Sequence, residues 1–147
     1  MKTALLPVIL SLGLARLAAA IEAPPVGVVQ FDHRQLDEAF ARGGKPLMSN
    51  SSYKILAGRR VAPGTVEVHT FDTDIFYMLD GSATFVTGGT VIEPTTTGPG
   101  EIRGKTTTGG VTHHLTKGDV IVIPKGTPHQ FTQVDGNFLY FVVKVTE

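Results

Sequence analysis

The chain contains no cysteine, and that absence removes whole classes of chemistry. Disulfide scaffolds, thiolate metal sites and cysteine nucleophiles are all excluded. Any metal must be held by histidine, carboxylate or backbone oxygen. A surplus of one charge is missing too: 13 Lys and Arg stand against 13 Asp and Glu, with no basic run or patch. Nucleic acid and anionic membrane are therefore not expected partners. No serine sits in a G-x-S-x-G elbow. Neither a P-loop nor a dinucleotide fingerprint occurs, and there is no internal repeat of fixed period. One apolar run stands out, Ala4 to Leu14 near the N-terminus. Its roughly 11 residues cannot cross about 30 Å of hydrocarbon, so stable membrane insertion is not expected.

That run has another reading. Lys2 supplies a basic start, and small residues follow to Ala18-Ala19-Ala20. This is the anatomy of a secretory signal, with cleavage expected after Ala20 and a periplasmic or secreted product. Residues 1–20 carry two cations, Lys2 and Arg16, and no acid. Of 13 Lys and Arg, 11 then remain against 13 acids, a net charge of −2.

What remains reads as one globular domain: 147 residues in all, 41% hydrophobic and 18% charged, enough for one core. Residues 21–46 form a Pro-rich lead and a short helix. Asp32 is placed to cap that helix, with Gln35 completing a capping box and Phe31 and Leu36 a hydrophobic staple. Gly43 or Gly44 ends it. From residue 47 to 147 short runs of Val, Ile, Phe, Tyr and Thr alternate with turn signals, among them Asp80-Gly81, Pro124-Lys125-Gly126 and Asp135-Gly136. Evenly punctuated short strands imply an all-β antiparallel sandwich or barrel. The Thr- and Gly-rich segment from Glu93 to Gly110 reads as a long loop or an irregular hairpin.

The chemistry lies in two stretches. In Thr65 to Gly81, strand alternation puts Glu67 and His69 on one face. Asp74 joins them if the chain bends at residues 70–73. On pattern alone, Glu67 could equally be a solvated carboxylate, and Asp74 a turn residue of Phe71-Asp72-Thr73-Asp74. In Lys117 to Gln133, the apolar run Val120 to Ile123 is expected to be a fully buried strand. Pro124 ends it, and Gly126 shapes the turn that sets where His129 points. His113 and His114 are adjacent, so at most one could point inward, and a solvent-exposed reading is preferred. His33 belongs to the helix. Phe71, Phe76, Met78 and Phe131 read as packing residues.

Gly118, Pro124, Gly126 and His129 resemble the second signature of the cupin superfamily, G-x5-P-x-G-x2-H-x3-N, with Gln133 at the last position. Read back from Gly81, the first signature, roughly G-x5-H-x-H-x3-4-E-x6-G, places Asp74 at its Glu, His69 at its second His and Glu67 at its first. Val61 stands at its opening Gly, with Gly64 three residues on. Together the motifs span Val61 to Gln133. The resemblance implies a cupin-type antiparallel β-barrel, the double-stranded β-helix or jelly roll, here with one short N-terminal helix. It also implies one divalent metal held by Glu67, His69, Asp74 and His129. Two carboxylates with two neutral imidazoles make an oxygen-rich set that favours Mn, Fe or Zn over Cu, with Ni compatible. Asp74 has about 1.5 Å less reach than the usual Glu. The function implied is a metalloenzyme acting on a small organic molecule, with Glu67 as base. Dioxygenase chemistry is favoured over isomerase or lyase. The alternative is a non-catalytic cupin that binds a small ligand or a metal. A titratable residue in the barrel beyond the ligands would favour the enzyme, and Tyr53 and Tyr140 are the candidates. Pairing of barrel sheets into a homodimer is expected.

Overall fold

The computed structural model describes residues 27–147; the expected secretory signal, residues 1–20, and most of the Pro-rich lead lie outside the described residues. Helix α1 covers His33–Ala41. Its start is locked reciprocally. The Asp32 carboxylate accepts from the Gln35 backbone N–H at 2.9 Å, and the Gln35 side chain accepts from the Asp32 N–H at 2.9 Å. Gly43, at φ +84°, follows its C-terminus. The helix covers the barrel through Ala39, which is buried, and Phe40, whose ring lies 5.7 Å from that of Phe141.

Eleven strands follow: β1 Gly44–Ser49, β2 Tyr53–Arg60, β3 Val66–His69, β4 Asp72–Thr87, β5 Thr90–Ile92, β6 Thr95–Gly98, β7 Glu101–Gly104, β8 Thr106–Thr108, β9 Val111–Thr116, β10 Val120–Ile123 and β11 His129–Thr146. The pairing is antiparallel throughout and forms a jelly roll of two facing layers. One layer runs β1, β2, the second half of β11, the first half of β4, and β10. The other runs β6, β7, β3, the first half of β11, the second half of β4, and β9. The two long strands thus pass from one layer into the other, and the core lies between the layers.

Here the structure corrects the turn assignments. Asp80-Gly81 and Asp135-Gly136 do not end strands. They are bends inside β4 and β11, with left-handed glycines at φ +78° and +71°. Such a bend adds a residue and flips which side faces inward. Asp72, Asp74, Phe76 and Met78 are buried before the β4 bend, and Ala83 and Phe85 after it. His129 and Phe131 are buried before the β11 bend, and Phe138, Tyr140 and Val142 after it. These aromatic residues form the core, with the Phe85 and Phe131 rings 4.5 Å apart and those of Phe76 and Tyr140 5.3 Å apart.

One further expectation changes, and of the two readings of the Thr/Gly segment the hairpin holds. Strand β10 is not fully buried: Val120 and Val122 are 61% and 55% exposed, and Ile123 alone is buried. It is an edge strand paired only with β4, so half of its apolar run faces outward. The Thr/Gly segment is ordered as nested hairpins. β5 pairs with β8, β6 pairs with β7, and β7 extends the second layer by pairing with β3. Among the described residues no helix is long and apolar enough to cross a membrane.

Buried Asp72 ties three strands together. Lys54 of β2 donates to its Oδ2 at 2.8 Å, and Thr146 of β11 donates to its Oδ1 at 2.7 Å. Burial raises the pKa of Asp72, but these two donors outweigh it and hold the carboxyl below its usual 3.8. A depressed carboxyl stabilises the fold above its unfolded value and loses that contribution as pH falls through the folded one. Asp72→Ala should therefore cost about 2–3 kcal/mol at neutral pH. The deficit should shrink in acid below pH 3.8, as measured by urea unfolding across pH.

Candidate metal centre

The site sits where β3, the start of β11 and the start of β4 meet. Glu67 and His69 share one face of β3, and Val66 and Val68 on the other face are also buried. Residues Thr70 and Phe71 turn the corner into β4, which carries Asp74. Ahead of β11, Gly126 at φ +78° lets its N–H donate to the His69 carbonyl at 2.7 Å. This bond ties the turn to β3, and His129 then pairs directly with Glu67 in register. The three side chains meet because the turn and the ladder fix them to adjoining backbone.

Both imidazoles are oriented from behind. His129 Nδ1 lies 3.0 Å from the Thr127 carbonyl, which can only accept, so Nδ1 carries the proton. His69 Nδ1 lies 2.9 and 3.0 Å from the two Glu101 carboxylate oxygens, with the same consequence. In the neutral form of each ring the unprotonated Nε2 then points inward. Both Nε2 atoms are buried without a hydrogen-bond partner. With a Glu67 carboxylate oxygen they form a set in which every donor lies within 4.8 Å of the others. Two orphaned imidazole lone pairs beside a carboxylate, each ring held by an acceptor behind it, fit the donor set of a divalent cation.

Asp74, expected as the fourth ligand, lies next to this cradle. Its Oδ2 is 3.5 Å from His69 Nε2 and 3.9 Å from His129 Nε2, and it accepts from Lys144 Nζ at 2.6 Å. The carboxylate is fully buried and its Oδ1 has no partner. The geometry therefore gathers Glu67, His69 and His129, and sets Asp74 beside them with its charge balanced by Lys144.

The electrostatics set the two rings apart. Burial would raise the Glu67 carboxyl, but the His69 ring, its Nε2 3.5 Å away, and the guanidinium of Arg103 outweigh it and hold the pKa at about 2. Burial and nearby Lys144 lower the His69 pKa, yet Glu67, Asp74 and Glu101 together raise it above 6.5, which biases this ring toward its protonated form. For His129 burial wins, and the ring is pushed toward its neutral, ligating form.

Three participants escaped the sequence reading. Glu101 and Arg103 lie on β7, inside the segment read as a loop or irregular hairpin, where strand alternation could not be applied. Arg103 pairs with Glu67 and lies 3.8 Å from Glu101. Lys144 was legible: Phe138, Tyr140 and Val142 mark an inward face at period two, and Lys144 continues it. His113 is half-buried and hydrogen-bonds the Thr87 hydroxyl at 2.8 Å, whereas His114 is exposed, and neither belongs to the site. Of the two tyrosines, Tyr140 is buried and Tyr53 is not. A cavity of about 160 Å³ opens beside the cradle, walled by Arg60, Glu67, His129, Phe131, Tyr140 and Lys144 among others.

Comparison with known proteins agrees with this architecture. The family model described as the AraC-like ligand binding domain matches residues 67–147. The structure resembles that of BH2720 from Bacillus halodurans, at 12% identity and a TM-score of 0.57, over 85% of this chain and 87% of that one. It resembles the Cnp3 cupin domain of Schizosaccharomyces pombe at 12% identity and a TM-score of 0.53, over 71% of this chain and 64% of that one. The DMSP lyase DddQ from Ruegeria pomeroyi is similar at 18% identity and a TM-score of 0.52, over 71% of this chain. The match spans 46% of the lyase, so this chain covers less than half of that protein's length. No curated protein sequence matches the chain. At these identities the likeness is one of fold.

Proposed function

The chain belongs to the AraC-like ligand binding domain family, a cupin-type barrel, and on that footing we propose that it is a metal-dependent cupin acting on a small organic molecule. Glu67, His69 and His129 would hold the divalent ion, with Asp74 and Lys144 as a charge-balanced pair beside it. The single observation that carries this is the pair of buried, unpartnered Nε2 atoms facing the Glu67 carboxylate. The oxygen and nitrogen donors favour Mn, Fe or Zn, with Ni compatible. A bound ion of this kind supplies a Lewis acid that polarises an oxygen of the ligand.

The chain's own residues supply the rest. Glu67, with a pKa of about 2, is ionised at neutral pH and suits a ligand better than a general base. Glu101 and the Thr127 carbonyl keep the two rings aimed. Burial pushes the Tyr140 hydroxyl above its usual pKa of 10, so it remains a proton donor in the cavity wall. That hydroxyl is the titratable group beyond the ligands that favours turnover over simple capture. Dioxygenase chemistry comes first in this reading, then isomerase or lyase. Export is part of the reading and is supported by the sequence of residues 1–20.

Elemental analysis of purified protein, refolded in turn with Mn2+, Fe2+, Ni2+ and Zn2+, is the test. One ion per chain is expected for at least one of them, followed by oxygen uptake assays with candidate substrates. Protein that retains none of the four overturns the reading.

A further inference from the structure

We propose that the cavity beside the cradle is a carboxylate site: its ligand is a small organic anion whose carboxylate is held by Arg60, with Tyr140 beside it. This rests on the metal-binding reading above and adds the ligand's chemical class.

The argument starts from Arg60. It ends β2 and its side chain is only 25% exposed, an unusual depth for a guanidinium without a firm partner. Its nearest carboxylate oxygen, Glu67 Oε1, lies 4.0 Å from Nη2, beyond hydrogen-bonding distance, and Glu67 is already taken by Arg103. The Arg60 Nε is buried with no acceptor at all. The guanidinium is nevertheless held in place. It stacks 4.8 Å over the Phe131 ring, and Gly64 leaves the room that a β-carbon would take from its Nη1. A planar, stacked guanidinium with an unused donor is prepared for a carboxylate.

The neighbours point the same way. Tyr140 packs its ring over Gly58, where any β-carbon would collide with it, and its hydroxyl lies in the reach of Arg60. Phe76, Phe131 and Val142 give the cavity an apolar wall for a short carbon chain. A volume of about 160 Å³ holds on the order of five water-sized groups, which limits the ligand to a short acid.

Charge decides between an acid and a neutral molecule. Three cations, Arg60, Arg103 and Lys144, share the site with three carboxylates, Glu67, Asp74 and Glu101. The protein groups therefore balance when the histidines are neutral. A divalent ion would add two positive charges to a largely buried site, where uncompensated charge is costly. A dicarboxylate removes that excess, a monocarboxylate halves it, and a neutral ligand leaves it whole.

The test is calorimetric titration of metal-loaded protein with acetate, malonate and succinate, against acetamide and malonamide. Metal content is measured separately on the same samples. Carboxylates should bind and amides should not. Arg60→Gln should weaken carboxylate binding at least about tenfold while keeping wild-type metal content. Arg60→Lys, which keeps the charge without the planar fork, should fall between, and thermal melts confirm that both variants fold. Equal binding of acids and amides, or no effect of Arg60→Gln in protein that holds its metal, overturns the carboxylate site and leaves the metal reading intact. If no metal is retained, the metal reading fails by itself. The same titration of the metal-free protein then decides this proposal: Arg60-dependent binding of the acids upholds it, and its absence overturns it.

Discussion

Replacing His129 by alanine is expected to lower affinity for the best-bound divalent ion by about a hundredfold or more. Zinc sites with four protein ligands gain roughly 10–16 kcal/mol, so one ligand is worth on the order of 3 kcal/mol, and 1.4 kcal/mol is tenfold in Kd. Removing the ring also opens a cavity, because it packs against Phe85 at 5.9 Å and Phe76 at 6.5 Å. His129→Phe separates the two effects: it retains a ring in that space and deletes both nitrogens. Competition titration with a chelator, beside thermal melts, should show both variants equally deficient in metal but His129→Phe more stable than His129→Ala. Glu101→Gln keeps every ligand, weakens the acceptor behind His69 Nδ1 and removes the charge facing Arg103, so a smaller loss of about 10–100-fold is expected. A His129→Phe protein that binds the ion as tightly as wild type would show that Nε2 is not a ligand.

Residue patterns carried this site unevenly, and the reasons are local. His129 was legible because a turn motif precedes it and a turn fixes direction: Gly126 docks on the His69 carbonyl, so the spacing from Pro124 to His129 encodes geometry. Glu67 and His69 followed from strand alternation. Asp74 was placed in the right corner, but alternation says nothing of what stands across the ladder. Its neighbour in register is Lys144, 70 residues away. Glu101 and Arg103 were hidden by composition, since Thr and Gly signal loops, and the local β6–β7 hairpin is set against the site only by the pairing of β7 with β3, distant in sequence. The all-β jelly roll with one capped helix was readable from punctuation by turn residues. The two Asp-Gly pairs misled because a left-handed glycine serves a hairpin turn and a bend within a strand equally well.

That ambiguity has a measurable consequence at Gly81. Gly81→Ala should destabilise the fold by about 3 kcal/mol, lowering the melting temperature by roughly 10 °C. Left-handed backbone costs a residue with a β-carbon roughly 1–2 kcal/mol. The new carbon would also stand 2.5 Å from the Asn137 carbonyl oxygen and 3.1 Å from the Phe138 Cα, and relieving such overpacking costs about 1–3 kcal/mol more. Gly136 is the control. It is left-handed too, at φ +71°, but a β-carbon there meets nothing within 4 Å, so Gly136→Ala should show the backbone term alone, about 1–2 kcal/mol. Chemical unfolding of the two variants tests the difference, and equal losses would mean that the close approach of β4 and β11 at the bend does not constrain the fold. The damage should also reach the site. Phe138 is fully buried and lies two residues before Tyr140 on the same inward face. A backbone shift that makes room at Asn137 therefore moves the tyrosine wall of the cavity, and carboxylate binding should weaken in Gly81→Ala before metal binding does, because the three ligands hang on the far side of the bend.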